Sequence, residues 1–333
     1  MNIKDIAKIA NVSISTVSRV INDKPGVKSE IRERVKKVIK ENNFIPNLLA
    51  VNLLKKRTNV IGIIVPVIHS YYAKIIDAVS DMLIENGYSI MVASSRMNME
   101  EEIENFNMLI EKQVEGIIYF PTVITENHKK VTTLYSERVP IVMIEGNPEE
   151  LELPNVLLDN ISGTKKAIKY LIECGHKRIG MIKGNKENWV AKEREKAFRN
   201  TLIENNIEIV EKFICDGEFS MKSGYEGVYT LFNGEKEKPT AVFFCNDTMA
   251  IGGIRAFAEL GIKLPEEVSI VGFDDIVPGS FSVPSLTTVK QDQVEMGRQA
   301  AKMLLDFFEN KSFKISKIVL EQKLVIRESV KKI

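Results

Sequence analysis

Short hydroxyl side chains and an arginine lie close together near the start of the chain, at Ser15, Thr16 and Arg19. Base edges in the major groove of DNA are read by such short polar side chains and by the forked guanidinium group of arginine. Ser13 is a good helix N-cap, and the helical stripe of valines and isoleucines that follows it leaves one face polar. That face carries Ser15, Ser18, Arg19 and Asn22. Its chemistry is therefore that of base recognition in DNA.

Three short helices must position this polar face. Apolar residues recur at helical spacing from Ile3 to Ala10, and the turn formers at 11–13 end a first helix of about seven residues. The second helix runs from Ile14 to about Ile21, and a third covers about 30–42. Two short helices joined by a three-residue turn, with a third closing the core, describe a helix-turn-helix. The alternative is a small three-helix bundle with an incidentally polar helix.

Charge is unevenly distributed on the two sides of Thr58. Residues 1–58 carry 13 Lys and Arg against 5 Asp and Glu, and the remainder carries 33 against 40, although the net charge of the whole chain is only +1. A basic first segment on an acidic remainder predicts a polyanion as the partner of that segment alone. The alternative for the charge excess by itself is a solvated helical face.

Length and composition exclude several classes of protein. A chain of 333 residues predicts two or three domains, and 44% hydrophobic with 27% charged residues is ordinary for a globular protein. No apolar run approaches the roughly 20 residues of a membrane span, and no secretory signal precedes the first helix, so we expect a cytoplasmic protein with no membrane partner. Cys174, Cys215 and Cys245 fit neither a disulfide framework nor a zinc site, and we interpret them as buried apolar residues.

Beyond Asn59 the pattern changes to short apolar runs that alternate with amphipathic segments. Alternating strands and helices predict parallel sheets with helices on both faces, and ligands of such sheets bind at the carboxyl ends of strands. The predicted strands are 60–65, 88–93, 116–120, 141–144, 178–182, 241–244 and 268–272, with a final strand-like segment at 318–326. The predicted helices are 72–86, 100–112, 161–173, 191–205, 222–232 and 247–260.

Side chains suited to a sugar follow several of these strands. Aromatic rings cover the C–H face of a sugar, while carboxylates, amides and forked donors bind its hydroxyls. The candidates at such positions are Tyr71, Tyr72, Arg194, Phe219, Asn246, Asp274 and Gln291. We interpret Asp247 as a helix cap rather than a ligand, and Trp189, the sole tryptophan, as either a stacking platform or a core filler. We expect Arg194 and Asp274, which are far apart in sequence, to meet only around a ligand.

Motifs for catalysis are missing from the sequence. It contains no GxGxxG after a strand, no GxxxxGK[ST], no HExxH and no GxSxG. His69, His128 and His176 are scattered and suggest neither a metal set nor a catalytic triad. We therefore assign no catalytic residue, no metal ligand and no cofactor, and we expect the protein not to be an enzyme.

The first segment resembles the LacI/GalR family of transcriptional regulators, through IKDIAKIANVSISTVSRVIN at 3–22 and VKSEIRERVKKVIKENNFIPN at 27–47. The resemblance implies that Ile14 and Ser15 open a recognition helix, that Thr16 contacts phosphate or base, and that Arg19 reaches a base edge. It also implies a hinge helix at about 47–57 that orders on DNA, in which Leu53 would wedge into the minor groove. Relatives often carry Arg or Lys where this chain has Val51 and Leu54.

The remainder resembles the same family, through CNDTMAIGGIRAFAELGIKLPEEVSIVGFDD at 245–275 and PSLTTVKQD at 284–292. The resemblance implies a two-lobed, type I periplasmic-binding-protein-like effector domain in which the seven candidate ligand residues line the effector pocket. Relatives often present an Asp or an aromatic residue where this chain has Glu145 and Gly146. The leucine-heptad helix with which some relatives form tetramers has no counterpart here, so we expect a homodimer.

These observations combine into one prediction of organisation. The fold class is α/β with an all-α helix-turn-helix head (1–45) joined by a hinge helix and linker (46–58) to the two-lobed effector domain (59–333). The first lobe would comprise about 59–161 and 291–321, and the second about 162–290 and 322–333.

The predicted function is a homodimeric repressor that binds a pseudo-palindromic operator in double-stranded DNA and is controlled by a small effector, a sugar or sugar phosphate. A purine, a nucleoside or a protein co-effector remains an alternative for the control. A cytoplasmic solute receptor without DNA regulation, or an α/β enzyme, would be a protein of another class.

Overall fold

The computed structural model describes residues 1–21, 23–44, 57–234, 237–314 and 316–333. The chain divides into two compact units, Met1–Thr58 and Asn59–Ile333. The predicted hinge helix and two of the predicted DNA-contacting residues, Asn22 and Leu53, lie outside the described residues.

The first unit is built on three helices, α1 (Ile3–Ile9), α2 (Ile14–Ile21) and α3 (Ser29–Glu41). Asn2 caps α1 in a capping box with Asp5, which satisfies backbone N–H groups that the helix itself leaves free. Apolar side chains of all three helices meet in one core: Ile6, Ala7, Ala10, Val17, Val20, Val35 and Val38. The helices begin and end within about one residue of the predicted bounds.

The first sheet of the second unit is parallel, with the strand order β11-β5-β4-β3-β1-β2 among the described residues. Its strands are β1 (Val60–Val65), β2 (Ser89–Ser94), β3 (Gly116–Tyr119), β4 (Ile141–Ile144), β5 (Asn155–Leu158) and β11 (Lys317–Leu320). The helices between its strands are α4 (Ser70–Glu85), α5 (Met99–Glu111) and α6 (Glu126–Ser136). Helix α12 (Gln293–Asn310) packs against α4 and against β4 and β5.

The second sheet has the order β12-β10-β9-β8-β6-β7, and only β12 runs antiparallel to its neighbour within the described chain. Its strands are β6 (Ile179–Ile182), β7 (Ile214–Cys215), β8 (Ala241–Phe244), β9 (Ser269–Asp274), β10 (Thr287–Lys290) and β12 (Lys323–Val325). The helices are α7 (Asn160–Glu173), α8 (Trp189–Glu204), α9 (Met221–Phe232), α10 (Asp247–Glu259) and the short α11 (Val277–Ser280).

The chain passes between the two sheets three times, after β5, after β10 and after β11. The sequence predicted one strand-like segment over 318–326, and this prediction is wrong because the last of these passages interrupts the segment. Glu321 and Gln322 separate β11 in the first sheet from β12 in the second. An apolar pattern reports that residues are extended and half-buried, but not which sheet they join; only the family resemblance led us to expect a lobe boundary between 321 and 322.

The structure confirms the predicted α/β class with a separate helical head. Helices α6 and α12 and strands β5 and β10 were not among the predicted elements. In α6 the apolar residues are sparse among Thr, Lys and Glu, and β10 has only one apolar residue, Val289, among its four. Within the described residues, no helix is long and apolar enough to cross a bilayer.

Candidate functional site

The exposed face of α2 presents the residues that the sequence singled out. Ile14 is 45% exposed, Ser15 and Arg19 are exposed, and Thr16 is half-buried, whereas Val17 and Val20 face the core. The Ser13 hydroxyl lies 2.8 Å from the hydroxyls of Ser15 and Thr16, and its oxygen accepts from the Thr16 backbone N–H at 3.2 Å. These contacts cap α2 and order the hydroxyl groups at its start.

Helix α3 holds the far end of α2. The Arg32 guanidinium donates to the Asp23 carboxylate at 2.5 Å and to the Lys24 carbonyl at 2.6 Å, in the turn directly after α2. Gly26 follows in that turn with φ +91°, a conformation that L side chains rarely adopt. The turn therefore keeps the polar face of α2 in one orientation on the small core.

In the second unit, a cavity of about 370 Å³ lies between the carboxyl ends of the strands of both sheets. Six of the seven candidate ligand residues line it: Tyr71, Tyr72, Arg194, Phe219, Asn246 and Asp274. Gln291 does not line it. This residue is fully buried behind Asp274, where its amide Nε2 donates to Asp274 Oδ1 at 2.6 Å and its Oε1 accepts from the Tyr71 hydroxyl at 2.5 Å.

Aromatic rings form one wall of the cavity. Tyr72 makes edge-on contacts with Tyr71 and Phe120, at 5.0 and 5.3 Å between ring centroids, and a tilted contact with His69 at 5.1 Å. Burial lowers the pKa of His69, so its imidazole is neutral at pH 7. Its Nδ1 accepts from the Tyr71 backbone N–H at 3.3 Å and caps α4. This wall suits a ring or an apolar ligand face.

Phe219 lies on the opposite side, at the loop before α9. Its φ of +55° is unusual for a phenylalanine, and the side chain of Asn246 helps to hold it by donating to the Phe219 carbonyl at 3.2 Å. The ring lies so close to Gly184 that a Cβ added there would be 2.1 Å from it. The ring is thus held at the cavity by its surroundings rather than by a ligand.

Arg194 is the central cation of the cavity. It is 3% exposed, its Nε donates to Asn160 Oδ1 at 2.9 Å, and its Nη1 donates to the Cys245 carbonyl at 2.5 Å. Its guanidinium carbon lies 3.6 Å from the centre of the Phe273 ring.

Arg194 and Asp274 are already neighbours without a ligand, with Nη1 3.8 Å from Oδ1. The expectation that they meet only around a ligand is therefore wrong. Helix α8 packs on the second sheet, which contains β9, so the fold itself brings the two side chains together although 80 positions separate them. Burial still raises the pKa of the Asp274 carboxyl well above its usual range, and Arg194 opposes this shift.

Glu145 is a cavity residue that the site prediction did not include. It follows β4 with φ +58°, and its carboxylate accepts from the Leu158 backbone N–H at 2.7 Å and from Asn160 Nδ2 at 3.0 Å. Burial raises the pKa of this carboxyl, and hydrogen bonding from Asn160 opposes that shift. The sequence could have indicated Glu145 as a site residue, because it lies directly after a predicted strand, where ligand-binding residues are common.

Asn246, rather than Asp247, caps α10. Asn246 Oδ1 accepts from the Met249 backbone N–H at 2.9 Å, so the interpretation of Asp247 as the cap is wrong. Asp247 is instead fully buried and accepts from the Thr288 hydroxyl at 2.6 Å and from the Ile276 N–H at 3.0 Å. Asp247 lies one residue inside the helix, and its side chain reaches strand β10. This contact follows from the tertiary packing and could not be predicted from the sequence.

The described residues contain no group of three His, Cys, Asp or Glu side chains placed to hold a metal ion. What the cavity offers is two carboxyl groups with raised pKa, one guanidinium group and a set of aromatic rings. Such a site binds and orients a small polar molecule by hydrogen bonds and ring contacts.

Two sequence profiles match the chain. The profile described as bacterial regulatory proteins, lacI family, matches residues 2–47, and a periplasmic binding protein-like domain matches residues 168–330. The chain is 36% identical to the HTH-type transcriptional repressor PurR of Haemophilus influenzae, over 99% of each chain. It is 32% identical to the ribose operon repressor of the same species, over 98% of each chain.

Solved structures of two transcriptional regulators are also similar to the chain over its whole length. The Lac repressor dimer bound to operator and the anti-inducer ONPF is similar with a TM-score of 0.90, 27% identity and coverage of 99% of each chain. The complex of the transcriptional regulator CelR with cellobiose is similar with a TM-score of 0.75, 30% identity and coverage of 99% of each chain. The similarity thus extends over the helical unit and the two-sheet unit alike.

Proposed function

The chain belongs to the LacI family of bacterial regulatory proteins, and from that premise we propose that it is a homodimeric operator-binding repressor controlled by a small effector in the cavity between its two sheets. One observation carries the proposal: a basic unit exposes a helix face of hydroxyls and arginine, and the same chain holds a ligand-sized cavity. Members of the family are transcriptional regulators, and we propose no catalytic step for this protein. Because its partner is operator DNA, we propose that it acts in the bacterial cytoplasm.

Helix α2 is the proposed reader of the operator. Its exposed start fits the major groove, where Ser15 and Thr16 reach phosphate or base and Arg19 reaches a base edge. We assign Ile14 and Asn22 to the same contact. Leu53 remains the proposed minor-groove wedge, on the resemblance of the segment that contains it.

A homodimer is supported by an apolar surface on the second unit. Phe281 is 81% exposed and Val283 88% exposed, and the neighbouring Val277 is 51% exposed. Large apolar side chains grouped on a surface mark an interaction site more often than they mark a solvated surface. A two-fold dimer would present two copies of α2 to a pseudo-palindromic operator.

For the effector we propose an uncharged sugar, with a purine as the second candidate. Arg194 is the sole Lys or Arg among the described residues that line the cavity, and Asp274 already faces its guanidinium group. Because these described residues offer no second cation to a phosphate, this arrangement favours an uncharged ligand. The relatives include a ribose operon repressor and the CelR complex with cellobiose, which support a sugar. The PurR relatives and the aromatic wall support a purine.

Effector control requires that the ligand bind two states of the repressor with different affinities. We propose that the ligand closes the two lobes around the cavity, shifts the dimer contact and changes the stability of the hinge helix. A ligand that increases operator affinity would be a co-repressor, and one that decreases it would be an inducer.

The test begins with selection of an operator from random DNA by the full-length protein. Operator affinity is then measured at fixed salt with a panel of pentoses, hexoses, their phosphates and purines. The isosteric Asp274→Asn variant should retain operator binding and lose about tenfold or more in effector affinity, because the carboxyl oxygen that becomes an amide nitrogen can no longer accept a hydrogen bond from the ligand. Glu173→Gln, an exposed carboxyl at the end of α7, is the matched control.

The proposal fails in two distinguishable ways. Without any sequence selected above random DNA, the operator-binding function is wrong. If an operator is selected but no panel member binds, the effector classes are wrong, and equal effector binding by Asp274→Asn removes Asp274 from the site.

A further inference from the structure

A second cavity, of about 220 Å³, adjoins the main one. The two cavities share four lining residues, Pro121, Thr122, Glu145 and Asn188, which therefore form a partition between them. We call the second cavity the side compartment. The rest of its lining is Val123, Ile124, Asn147, Glu150, Glu187, Trp189 and Lys192.

A hydrogen bond joins the two sides of the partition. Asn188 Nδ2 donates to the Thr122 carbonyl at 3.0 Å and so joins the loop after β3 to the start of α8. Asn188 Oδ1 meanwhile caps α8 by accepting from the Ala191 N–H at 3.2 Å. One such bond contributes little net stability, because both partners can hydrogen-bond to water instead. A polar ligand atom can replace either partner in the same way. A ligand can therefore extend from the main cavity past this bond.

The side compartment differs from the main cavity in its chemistry. Aromatic rings and buried carboxyl groups dominate the main cavity, whereas the side compartment combines the Trp189 indole with the charged groups of Glu150, Glu187 and Lys192. Lys192 Nζ lies 3.8 Å from the Glu187 carboxylate, and both side chains are more than half exposed.

An indole surrounded by carboxylates and an amine matches a ring rich in hydroxyl groups. The C–H face of such a ring packs on the indole, and its hydroxyls bind the charged side chains. At about 370 Å³ the main cavity alone is near the lower end of the range for ligand sites, about 300–1,000 Å³. A ligand confined to the main cavity leaves the side compartment without a ligand group.

We propose that the effector has two linked ring systems: a sugar ring or a fused purine in the main cavity, and a glycosidically attached, hydroxyl-bearing ring in the side compartment. A fused purine is counted below as one ring. This inference rests on the proposed function, since it concerns the ligand of the same repressor. A nucleoside and a disaccharide share this chemistry, and the two arms of the experiment distinguish them.

The experiment is calorimetry on the full-length protein with matched pairs of one-ring and two-ring ligands. Adenine is compared with adenosine and hypoxanthine with inosine in one arm, and glucose with cellobiose in the other. In at least one arm the two-ring member should bind at least tenfold more tightly. Trp189→Leu and Lys192→Ala should remove that gain and leave the affinity for the one-ring member unchanged.

Lys177→Ala is the matched control for Lys192→Ala. Lys177 is exposed and precedes β6, at the amino end of the strands, so the gain from the second ring should persist in this variant. Because Trp189 is the only tryptophan of the chain, a two-ring ligand should also change the tryptophan emission of the unmodified protein, and a one-ring ligand should not.

Three results would overturn the inference. If one-ring ligands bind and alter operator affinity but the second ring adds nothing, the two-ring effector is wrong and the proposed repressor function stands. If the variants weaken both members of a pair equally, the side compartment does not hold the second ring. If no member of either arm binds, both the effector classes and the two-ring effector are wrong.

Discussion

Arg19 is the residue on which base recognition depends most, because its guanidinium is exposed on α2 while Val17 and Val20 fix the helix in the core. Arg19→Ala should cost about 1–3 kcal/mol at the selected operator and much less on random DNA, since a lost base contact affects one sequence only. Fluorescence anisotropy at fixed salt measures both affinities. Lys37→Ala, an exposed charge on α3, should change the two affinities to the same extent. Equal losses on both DNAs from Arg19→Ala would contradict the assignment.

Asp247 makes the stability of the second unit depend on pH. Burial raises its pKa to about 7, so the folded state binds a proton that the unfolded chain releases near pH 4. Asp247 therefore contributes most to the free energy of unfolding below about pH 4, and this stabilising contribution is lost as the pH rises to about 7.

Asp247→Asn removes the ionisable group while the Thr288 hydroxyl can still pair with the new amide. Urea unfolding at pH 5 and pH 8 should show that the unmodified protein loses roughly 1–4 kcal/mol more than the variant between these two values. The same pH dependence in both proteins would exclude Asp247 as its source.

The contact between helices α9 and α10 depends on two glycines. A Cβ on Gly252 of α10 would lie 1.9 Å from the Met221 carbonyl oxygen, and one on Gly224 of α9 would lie 2.0 Å from that of Met249. Neither position has room for a methyl group, so each helix packs directly against the backbone of the other.

Gly252→Ala should therefore destabilise the protein by about 1–3 kcal/mol or more, because the helices must separate to admit the methyl group. Urea unfolding measures this loss. Arg255→Ala, on the exposed side of the same helix, should change the stability much less. An unfolding free energy unaffected by Gly252→Ala would mean that the two helices can move apart at no cost.

At the scale of the whole molecule, the apolar surface at Phe281 and Val283 predicts how the protein assembles. Replacing both with Ser should convert a dimer into a monomer in sedimentation velocity, because the apolar area that association buries is lost. Operator affinity should fall with the dimer, since one α2 contacts only half of a palindromic site. Val319→Ser, a half-exposed valine on β11, should leave the dimer intact. A double variant that remains dimeric would remove this surface from the interface.

The helical head and the alternation of strands and helices were predictable from the sequence alone. Apolar spacing and capping residues are local signals, so α1 to α3 and the predicted strands begin and end close to their expected positions. The base-reading face of α2 was predictable for the same reason, since residues on one face of a helix follow from their spacing. Residues after strand ends were recognised as ligand candidates because parallel strands present their carboxyl ends at one edge.

The tertiary structure alone decided how those residues meet. Gln291 lies behind the cavity, and Arg194 pairs with Asp274 in the absence of a ligand. Glu145 lines the cavity because its carboxylate is held by hydrogen bonds from Leu158 and Asn160. These are contacts between residues far apart in the chain, and the spacing of apolar residues carries no information about them. The side compartment beside Trp189 belongs to the same class, because it arises only when separate elements pack against one another.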